Sequence, residues 1–416
     1  MRLSKITYIV LLILAGEAIF ILPFVLARIF RPTVLEVFQL TNLELGTCYS
    51  SYGLVALVSY LVGGPLADRF SPRKLMALAL WLTASGGWYY ASYPSYTHLQ
   101  ILYGYWGFTT IFLFWAPMIK ATRVWGGSHS QGKAFGLLDG GRGLVGALFG
   151  SLGILVFAQF GGGMIDTLPL EERQAVFAQV VQVCSWVIVG IGILVWFFLK
   201  EKEAAVEEHR TVITLQQIVR AARIPSVVYL MIIILCGYVG YKTTDILSQY
   251  AEEVMEYDQL KSATIGSYLL YLRPIVGIAV GFLADRSRIS LWVTIGFLLS
   301  LLGAVLFASG QVVPGTTGLF IFSVVLTGTG VYAVRALYFA CMKEGKIPMA
   351  LTGTAVGLIS LIGYTPDIFA GPMMGYLLDA TPGIQGHQHV FWTLAGFSFV
   401  GLIASFLLLR NAQKQQ

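Results

Sequence analysis

Charged residues are scarce in this chain. Asp, Glu, Lys and Arg make up 12% of its 416 residues and hydrophobic residues 56%, whereas an ordinary soluble domain is roughly a quarter charged. The composition therefore excludes an ordinary soluble domain. It indicates an all-α membrane protein with many spans, since about 20 apolar residues form one transmembrane helix.

Residues that commonly carry metal or covalent chemistry are also few. The four cysteines lie in or beside apolar runs, without C-x-x-C spacing or a histidine at ligand spacing, which favours plain packing over a metal site or a disulfide. The five histidines lie in loops or at the ends of apolar runs, and this counts against catalysis in the bilayer. The phosphate-binding pattern G-x-x-x-x-G-K-[ST] does not occur, so direct ATP drive has no support. The sequence thus predicts neither an enzyme nor a cofactor.

Apolar runs account for most of the chain. The interval 200–225 is rich in charged residues and separates six runs from six more, at 6–30, 44–67, 74–92, 98–120, 134–158 and 177–199, then at 226–250, 261–284, 289–309, 316–341, 350–377 and 388–410. This pattern predicts 12 transmembrane helices, with an N-terminal six-helix bundle at 1–199, a cytoplasmic linker at 200–225 and a C-terminal six-helix bundle at 226–416. Within the linker, apolar residues follow one helical face from Thr211 to Arg223. This predicts an amphipathic helix on the inner membrane face, with a plain soluble linker as the alternative.

Lysine and arginine are unevenly distributed among the predicted loops. If both termini are cytoplasmic, the outer segments hold only Arg28, Arg31, Arg173 and Lys261, and the remaining basic loop residues lie inside. The positive-inside rule therefore predicts cytoplasmic termini. The net charge of +6 is assigned to these basic loops and not to a nucleic-acid partner.

Two pairs of short stretches match each other across the chain. Residues 64–69 and 281–286 share the pattern G-x-L-A-D-R, and residues 132–137 and 353–358 share G-x-A-x-G-L. The matches occur in the same order, at nearly the same offset and in equivalent predicted loops. They predict a tandem repeat of six helices.

The first stretch resembles the signature of the major facilitator superfamily, G-x-L-x-D-R-x-G-R-[RK]. The chain supplies Gly64, Leu66, Asp68, Arg69, Arg73 and Lys74, and it departs from the signature at Ser71 and Pro72. Residues 135–143, 335–347 and 363–369 are most similar to a subgroup of uncharacterised bacterial inner-membrane carriers. That subgroup is distantly similar to organophosphate/phosphate antiporters.

This resemblance implies two pseudo-symmetric six-helix bundles that expose a central site to one side of the membrane at a time. Asp68, Arg69 and Arg73, with their counterparts Asp285 and Arg286, are then expected to form gating contacts at the cytoplasmic ends of helices. The alternative for the basic residues is that they only set the topology.

Ionisable residues inside the apolar runs are candidate site residues, because charges in a bilayer are costly. Eight lie well inside, namely Glu17, Asp139, Arg142, Lys242, Asp245, Arg273, Arg335 and Asp367. Four are acids and four are bases, so mutual pairing that merely holds helices together is the alternative for the whole set.

Arg273 is the strongest candidate for binding an anion. It precedes Pro274 and has no acid within a turn of its own helix, and a guanidinium holds a carboxylate or phosphate with two hydrogen bonds. Lys242 and Asp245 are three residues apart, so they can form an ion pair. Both are predicted to bind substrate, with Lys242 exchanging the Asp245 carboxylate for the substrate.

The remaining charges receive other roles. Glu17 and Asp367 are candidates for proton coupling, with structural hydrogen bonds as the alternative. Asp139 and Arg142 share a helical face and are predicted to form a gating pair. Arg335 is interpreted as structural.

Taken together, these features predict a proton-coupled secondary active transporter for a small polar, anionic organic solute. We expect a monomer in the bacterial cytoplasmic membrane that contacts lipid, the solute and protons. An efflux carrier for drugs, metal or siderophore complexes is the alternative, and a channel or a membrane enzyme is the least favoured class.

Overall fold

The computed structural model describes residues 5–126, 131–161, 167–199, 215–345 and 352–414. Regular structure in these ranges is entirely helical, as the composition predicts. In chain order the helices are α1 (Lys5–Phe20), α2 (Leu26–Ile29), α3 (Arg31–Val37), α4 (Asn42–Arg69), α5 (Pro72–Tyr90), α6 (Tyr96–Gly107), α7 (Ala116–Gly126), α8 (Gln131–Gly161), α9 (Leu170–Phe198), α10 (Leu215–Ala222), α11 (Pro225–Thr243), α12 (Leu247–Glu253), α13 (Gln259–Asp285), α14 (Ile289–Ala308), α15 (Thr317–Leu337), α16 (Thr352–Gly363), α17 (Pro366–Ala380) and α18 (Ile384–Lys414).

Each predicted apolar run coincides with one of these helices or with two that follow each other closely. Among the described residues, eight helical stretches are long and apolar enough to cross a membrane by length and composition. The other four runs correspond to α4, to α5, to α6 with α7, and to α16 with α17. The all-α fold class is therefore confirmed.

Proline positions explain several helix starts and irregularities. Pro72, Pro225 and Pro366 lie in the first turns of α5, α11 and α17, where the missing N–H would have had no partner in the helix. The departure from the family signature at Pro72 thus falls at a helix start. Pro23 lies inside a π-helical segment, Ile21–Val25, that joins α1 to α2. It cannot donate the hydrogen bond of a regular α-helix there.

Packing divides the chain into two compact units. Unit 1 consists of Met1–Ala204 with Asp245–Pro274, and unit 2 of Ala205–Thr244 with Ile275–Gln416. Helix α12 and the first part of α13 therefore pack with the first half of the chain. The division into bundles at 1–199 and 226–416 stays a prediction.

The two units repeat the same internal packing. In unit 1, α1 packs on α8 and α5 packs on α9. In unit 2, α11 packs on α16 and α14 packs on α18. Counted by predicted spans, the first helix contacts the fifth and the third contacts the sixth in each set of six, as a tandem repeat requires.

The predicted linker is described only in its last part. Helix α10, Leu215–Ala222, lies within the stretch for which the sequence predicts an amphipathic helix. Residues 200–214 lie outside the described residues. The location of this helix on the membrane surface stays a prediction.

Candidate functional site

Four of the charged residues identified from the sequence meet inside unit 1. Arg142 Nε donates to Glu17 Oε2 at 3.1 Å, and Glu17 Oε1 lies 3.8 Å from Arg273 Nη1. Arg273 Nη2 donates to Asp139 Oδ1 at 3.0 Å. We refer to Glu17, Asp139, Arg142 and Arg273 as the unit 1 cluster. It joins α1, α8 and α13 and contains two cations and two anions.

Burial is unequal within this cluster. Glu17, Arg142 and Arg273 are at most 8% exposed, whereas the side chain of Asp139 is 48% exposed. A buried carboxylate that leaves its cation strands a charge away from water, and this costs far more than breaking an exposed pair. Asp139 is therefore the carboxylate that another anion can replace at the lowest cost.

Two glycines of α8 make room for the unit 1 cluster. A Cβ atom on Gly146 would lie 2.9 Å from Glu17 Oε1, and one on Gly143 would lie 3.2 Å from Arg273 Cγ. A Cβ atom on Gly140 would meet nothing within 4 Å. A side chain at position 146 would therefore displace the Glu17 carboxylate, and one at position 143 would require a small shift of Arg273.

Aromatic rings cover the Arg142 guanidinium. Its Cζ lies 5.3 Å from the ring centroid of Phe20 and 5.7 Å from that of Trp115. Trp115 is the last residue of a second π-helical segment, Phe108–Trp115, between α6 and α7. These rings give a cation that is largely withdrawn from water a favourable contact.

A second charged group lies in unit 2. Lys242 Nζ is 2.6 Å from Asp367 Oδ1, and the Tyr238 hydroxyl lies 3.1 and 3.2 Å from the two oxygens of the same carboxylate, to which it donates. Lys242 and Asp367 are buried. We refer to Tyr238, Lys242, Arg335 and Asp367 as the unit 2 cluster, because Arg335 packs on the same tyrosine.

Tyrosine faces surround the basic residues of the unit 2 cluster. Arg335 Cζ lies 3.7 Å from the ring centroid of Tyr241 and 5.5 Å from that of Tyr238. Tyr364 meets Tyr238 edge to face at 5.0 Å. From the sequence, Arg335 is predicted to be structural, and neither Tyr238 nor Tyr241 is a candidate, since tyrosines in apolar runs are ordinarily packing residues.

The local backbone explains the place of Asp367. It lies in the first turn of α17, directly after Pro366, where the N–H groups of a helix favour a negative charge. A Cβ atom on Gly363 would lie 2.4 Å from Ile234 Cγ2. Only glycine allows the end of α16 to pack this closely on α11.

Asp139 with Arg142, and Lys242 with Asp245, are spaced three residues apart, but each of these four residues forms an ion pair with a residue of a different helix. Asp139 bonds to Arg273 and Arg142 to Glu17. Lys242 pairs with Asp367, and Asp245 pairs with Arg28 at 2.5 Å. Residues Thr244–Ile246 form a 3-10 turn between α11 and α12, so the α-helical geometry behind the Lys242–Asp245 argument does not hold there.

The signature residues are described only in part. The Asp68 side chain lies outside the described residues, Arg69 is exposed at the end of α4, and Arg73 is half-buried in the first turn of α5. Asp285 and Arg286 are exposed, and Arg286 Cζ lies 3.9 Å from the Phe282 ring centroid.

A third polar group is not among the sites predicted from the sequence. Arg28 and Arg31 are predicted to lie in the outer loops, but both are 2% exposed. Arg28 pairs with Asp245, and Arg31 Nε donates to Gln249 Oε1 at 2.7 Å. A signal was present, since Arg28 lies inside the apolar run 6–30.

The chemistry available in these groups is binding and proton transfer. Guanidinium and ammonium groups attract anions, and carboxylates compete with them or take up protons. Within the described ranges, no group of three or more His, Cys, Asp and Glu residues is placed to hold a metal ion. Buried cations with exchangeable counter-ions are a suitable basis for solute binding.

Comparison with known proteins assigns the family. The sequence profile of the Major Facilitator Superfamily matches residues 8–371. The chain belongs to this superfamily. It has the superfamily's fold of two pseudo-symmetric helical bundles, and it is a multi-pass transporter of the cytoplasmic membrane rather than an enzyme.

Three relatives share most of their length with this chain. The inner membrane protein YqcE of Escherichia coli (strain K12) is 27% identical over 376 residues, covering 89% of this chain and 86% of its own length. The inner membrane protein YihN of the same organism is 26% identical, covering 98% of this chain and 96% of its own length. The probable nitrate/nitrite antiporter NarK1 of Thermus thermophilus is 23% identical, covering 85% of this chain and 81% of its own length.

Solved structures share the fold at low identity. A bacterial homologue of the human lysosomal transporter Spinster, inward-facing and occupied, has a TM-score of 0.76 at 15% identity over 99% of this chain and 98% of its own. The nucleoside transporter NupG has a TM-score of 0.72 at 14% identity over 98% of this chain and 99% of its own.

Proposed function

We propose that this transporter moves a small polar organic anion together with a proton, and that Arg273 binds the anion. The observation that carries the proposal is the position of Arg273 between buried Glu17 and half-exposed Asp139. An anionic solute can take the place of Asp139 on the guanidinium, since a released Asp139 carboxylate is already largely hydrated. The planar guanidinium fork suits a carboxylate or a phosphate.

Charge balance links the anion to a proton. The unit 1 cluster has two cations and two anions, so a bound monoanion adds one negative charge to a buried group. A proton on Glu17 restores neutrality and weakens the hold of Glu17 on Arg142 and Arg273. Buried charges are costly when unbalanced, so the anion and the proton favour each other's binding.

The unit 2 cluster offers a similar exchange. Lys242 is held by Asp367, and protonation of Asp367 would release the ammonium group to bind an anion. We therefore propose Lys242 as a further substrate-binding residue and Asp367 as a further proton site. The relative described as a probable nitrate/nitrite antiporter supports an anionic solute class.

The other predicted roles stay proposals. Asp245 is bonded to Arg28, and contact between Asp245 and the solute is a prediction. The gating roles of Asp68, Arg69, Arg73, Asp285, Arg286, Asp139 and Arg142, and the cytoplasmic location of both termini, are also predictions.

Replacement of Arg273 tests the anion site. Purified protein is first screened for thermal stabilisation by carboxylates, phosphate esters, neutral sugars and lipophilic cations, since a bound solute stabilises the folded state. The best stabiliser is then followed by counterflow in proteoliposomes. We expect Arg273→Ala to abolish counterflow of an anion, and Arg410→Ala, which removes an exposed arginine from α18, to leave it unchanged.

Two results would contradict this assignment. One is normal counterflow of an anionic solute by Arg273→Ala at wild-type protein levels. The other is stabilisation of the wild type by lipophilic cations alone, which would favour an efflux carrier.

Replacement of Glu17 tests proton coupling. Glu17→Gln keeps the size of the side chain and an oxygen that accepts from Arg142, but it cannot take up a proton at this position. We expect the variant to exchange labelled for unlabelled solute and to lose accumulation driven by a pH gradient. Glu172→Gln, at an exposed position of α9, serves as the control. Gradient-driven accumulation that survives in Glu17→Gln would refute coupling through Glu17.

A further inference from the structure

Arg28, in α2, and Arg31, the first residue of α3, form the third polar group described above. Both side chains are 2% exposed, and Arg28 forms an ion pair with Asp245. The Arg28 carbonyl also accepts from Ser248 Oγ at 2.8 Å. Arg28 is thus held on both its side chain and its backbone.

Arg31 differs from Arg28 in the acceptors that surround it. Its Nε donates to Gln249 Oε1 at 2.7 Å and its Nη2 to Asn42 Oδ1 at 3.1 Å. Both acceptors are neutral amides. Within the described part of the chain, no carboxylate forms an ion pair with Arg31. The carboxylate connected to Arg31 through Gln249 is that of Glu253, which accepts from Gln249 Nε2 at 2.7 Å.

A buried guanidinium without a directly bonded anion is unfavourable, because little water reaches it and no opposite charge balances it. Arg31 donates from Nε and Nη2 to neutral amides. Its positive charge is not balanced by a bonded carboxylate, and a guanidinium in that state can bind a carboxylate or a phosphate. Asn42, which accepts from Nη2, is only half-buried.

We infer that Arg31 and Asn42 form a second anion site, separate from the unit 1 cluster. Arg31 follows Glu17 along the chain only after the π-helical segment Ile21–Val25 and the helix break at Phe30. An anion at Arg31 competes with Gln249 for the guanidinium and so loosens a bond between α3 and α12. The inference rests on the proposed function. The transported anion would bind at Arg31 before or after it binds to Arg273.

The second site is tested by the thermal stability of the purified full-length protein with inorganic phosphate or acetate, at an ionic strength held constant with sodium chloride. Arg273→Ala serves as the background, so that the unit 1 cluster no longer contributes its best anion contact. The key variant is Asn42→Asp, which places a carboxylate on Arg31 without a change of size. Asn42 is the first residue of α4, where an acid is tolerated well. Asn42→Ala is the matched neutral variant.

We expect a saturating probe anion to raise the Tm of the Arg273→Ala background by about 2 °C. We expect Asn42→Asp to abolish this shift and Asn42→Ala to retain most of it. General salt effects on stability are common to all variants and cancel in the comparison.

Other outcomes refute one proposal or both. If the wild type responds to the anions and Arg273→Ala does not, the second site is refuted and the proposed function stands. An equal shift in Asn42→Asp and Asn42→Ala also refutes the second site alone. If Asn42→Asp abolishes the response but no anion is transported by the wild type, the second site stands and the proposed function fails. The absence of any anion response in every form would contradict both.

Discussion

In unit 1, Glu17 lies between two guanidinium groups, with glycines of α8 beside it. In unit 2, Asp367 lies between an ammonium group and a phenol, with tyrosine rings beside them. In unit 1, glycines leave space for the charged side chains. In unit 2, hydrogen-bond donors and aromatic faces stabilise the charged side chains.

The two clusters also differ in how exposed their acids are. The unit 1 cluster includes Asp139, whose side chain is 48% exposed, whereas the Asp367 side chain is 11% exposed. An ion pair with an exposed member is easily exchanged, and a buried pair resists exchange. From this contrast we expect the Arg273–Asp139 ion pair to exchange more easily than the Lys242–Asp367 pair.

The strongest test of this contrast compares the two acids directly. Asp367→Asn leaves Lys242 buried beside a neutral amide, and we expect the free energy of unfolding to fall by about 3 kcal/mol. Asp139→Asn removes a half-exposed partner from Arg273, and we expect a loss below about 1 kcal/mol. Reversible unfolding in detergent measures both. Equal losses would mean that burial does not distinguish the clusters.

A second test uses the glycines of α8. Gly146→Ala places a methyl group 2.9 Å from the present position of Glu17 Oε1. We expect a loss of about 2 kcal/mol from overpacking, together with reduced solute exchange. Gly140→Ala, on the same helix with nothing within 4 Å of the new atom, is the matched control and should be neutral or slightly stabilising. If both variants behave alike, the space around Glu17 is not what positions it.

The helices could be predicted because their signals are local. Runs of apolar residues and the charged interval 200–225 locate the spans without knowledge of any contact. The repeat could be predicted from matched stretches in the two halves, and the packing within each unit agrees with it.

The partners of the charged residues could not be predicted in the same way. A spacing of three residues shows that Asp139 and Arg142 can meet, but which helix packs beside them decides their partners. Arg273 meets Glu17 because Gly143 and Gly146 let α13 and α1 approach α8. Such proximity depends on the tertiary fold, and the sequence signal for it is no more than a glycine-rich stretch.

The burial of Arg31 could not be predicted for a different reason. A basic residue at the edge of an apolar run is ordinarily assigned to a loop, because the positive-inside rule counts the basic residues of the loops on each side of the membrane. Its burial depends on α12, which lies more than 200 residues later in the chain and supplies Gln249. One residue can satisfy the topology rule and still belong to a buried site.

The π-helical segment Ile21–Val25 has a consequence for how this family can diversify. Glu17 precedes it and Arg28 follows it, so the segment sets the rotation between the two arginine groups of unit 1. One residue corresponds to about 100° around a helix, and a π turn takes up one more residue than an α turn. We therefore expect a single-codon insertion or deletion in this stretch to turn Arg28 to another face while Glu17 keeps its place.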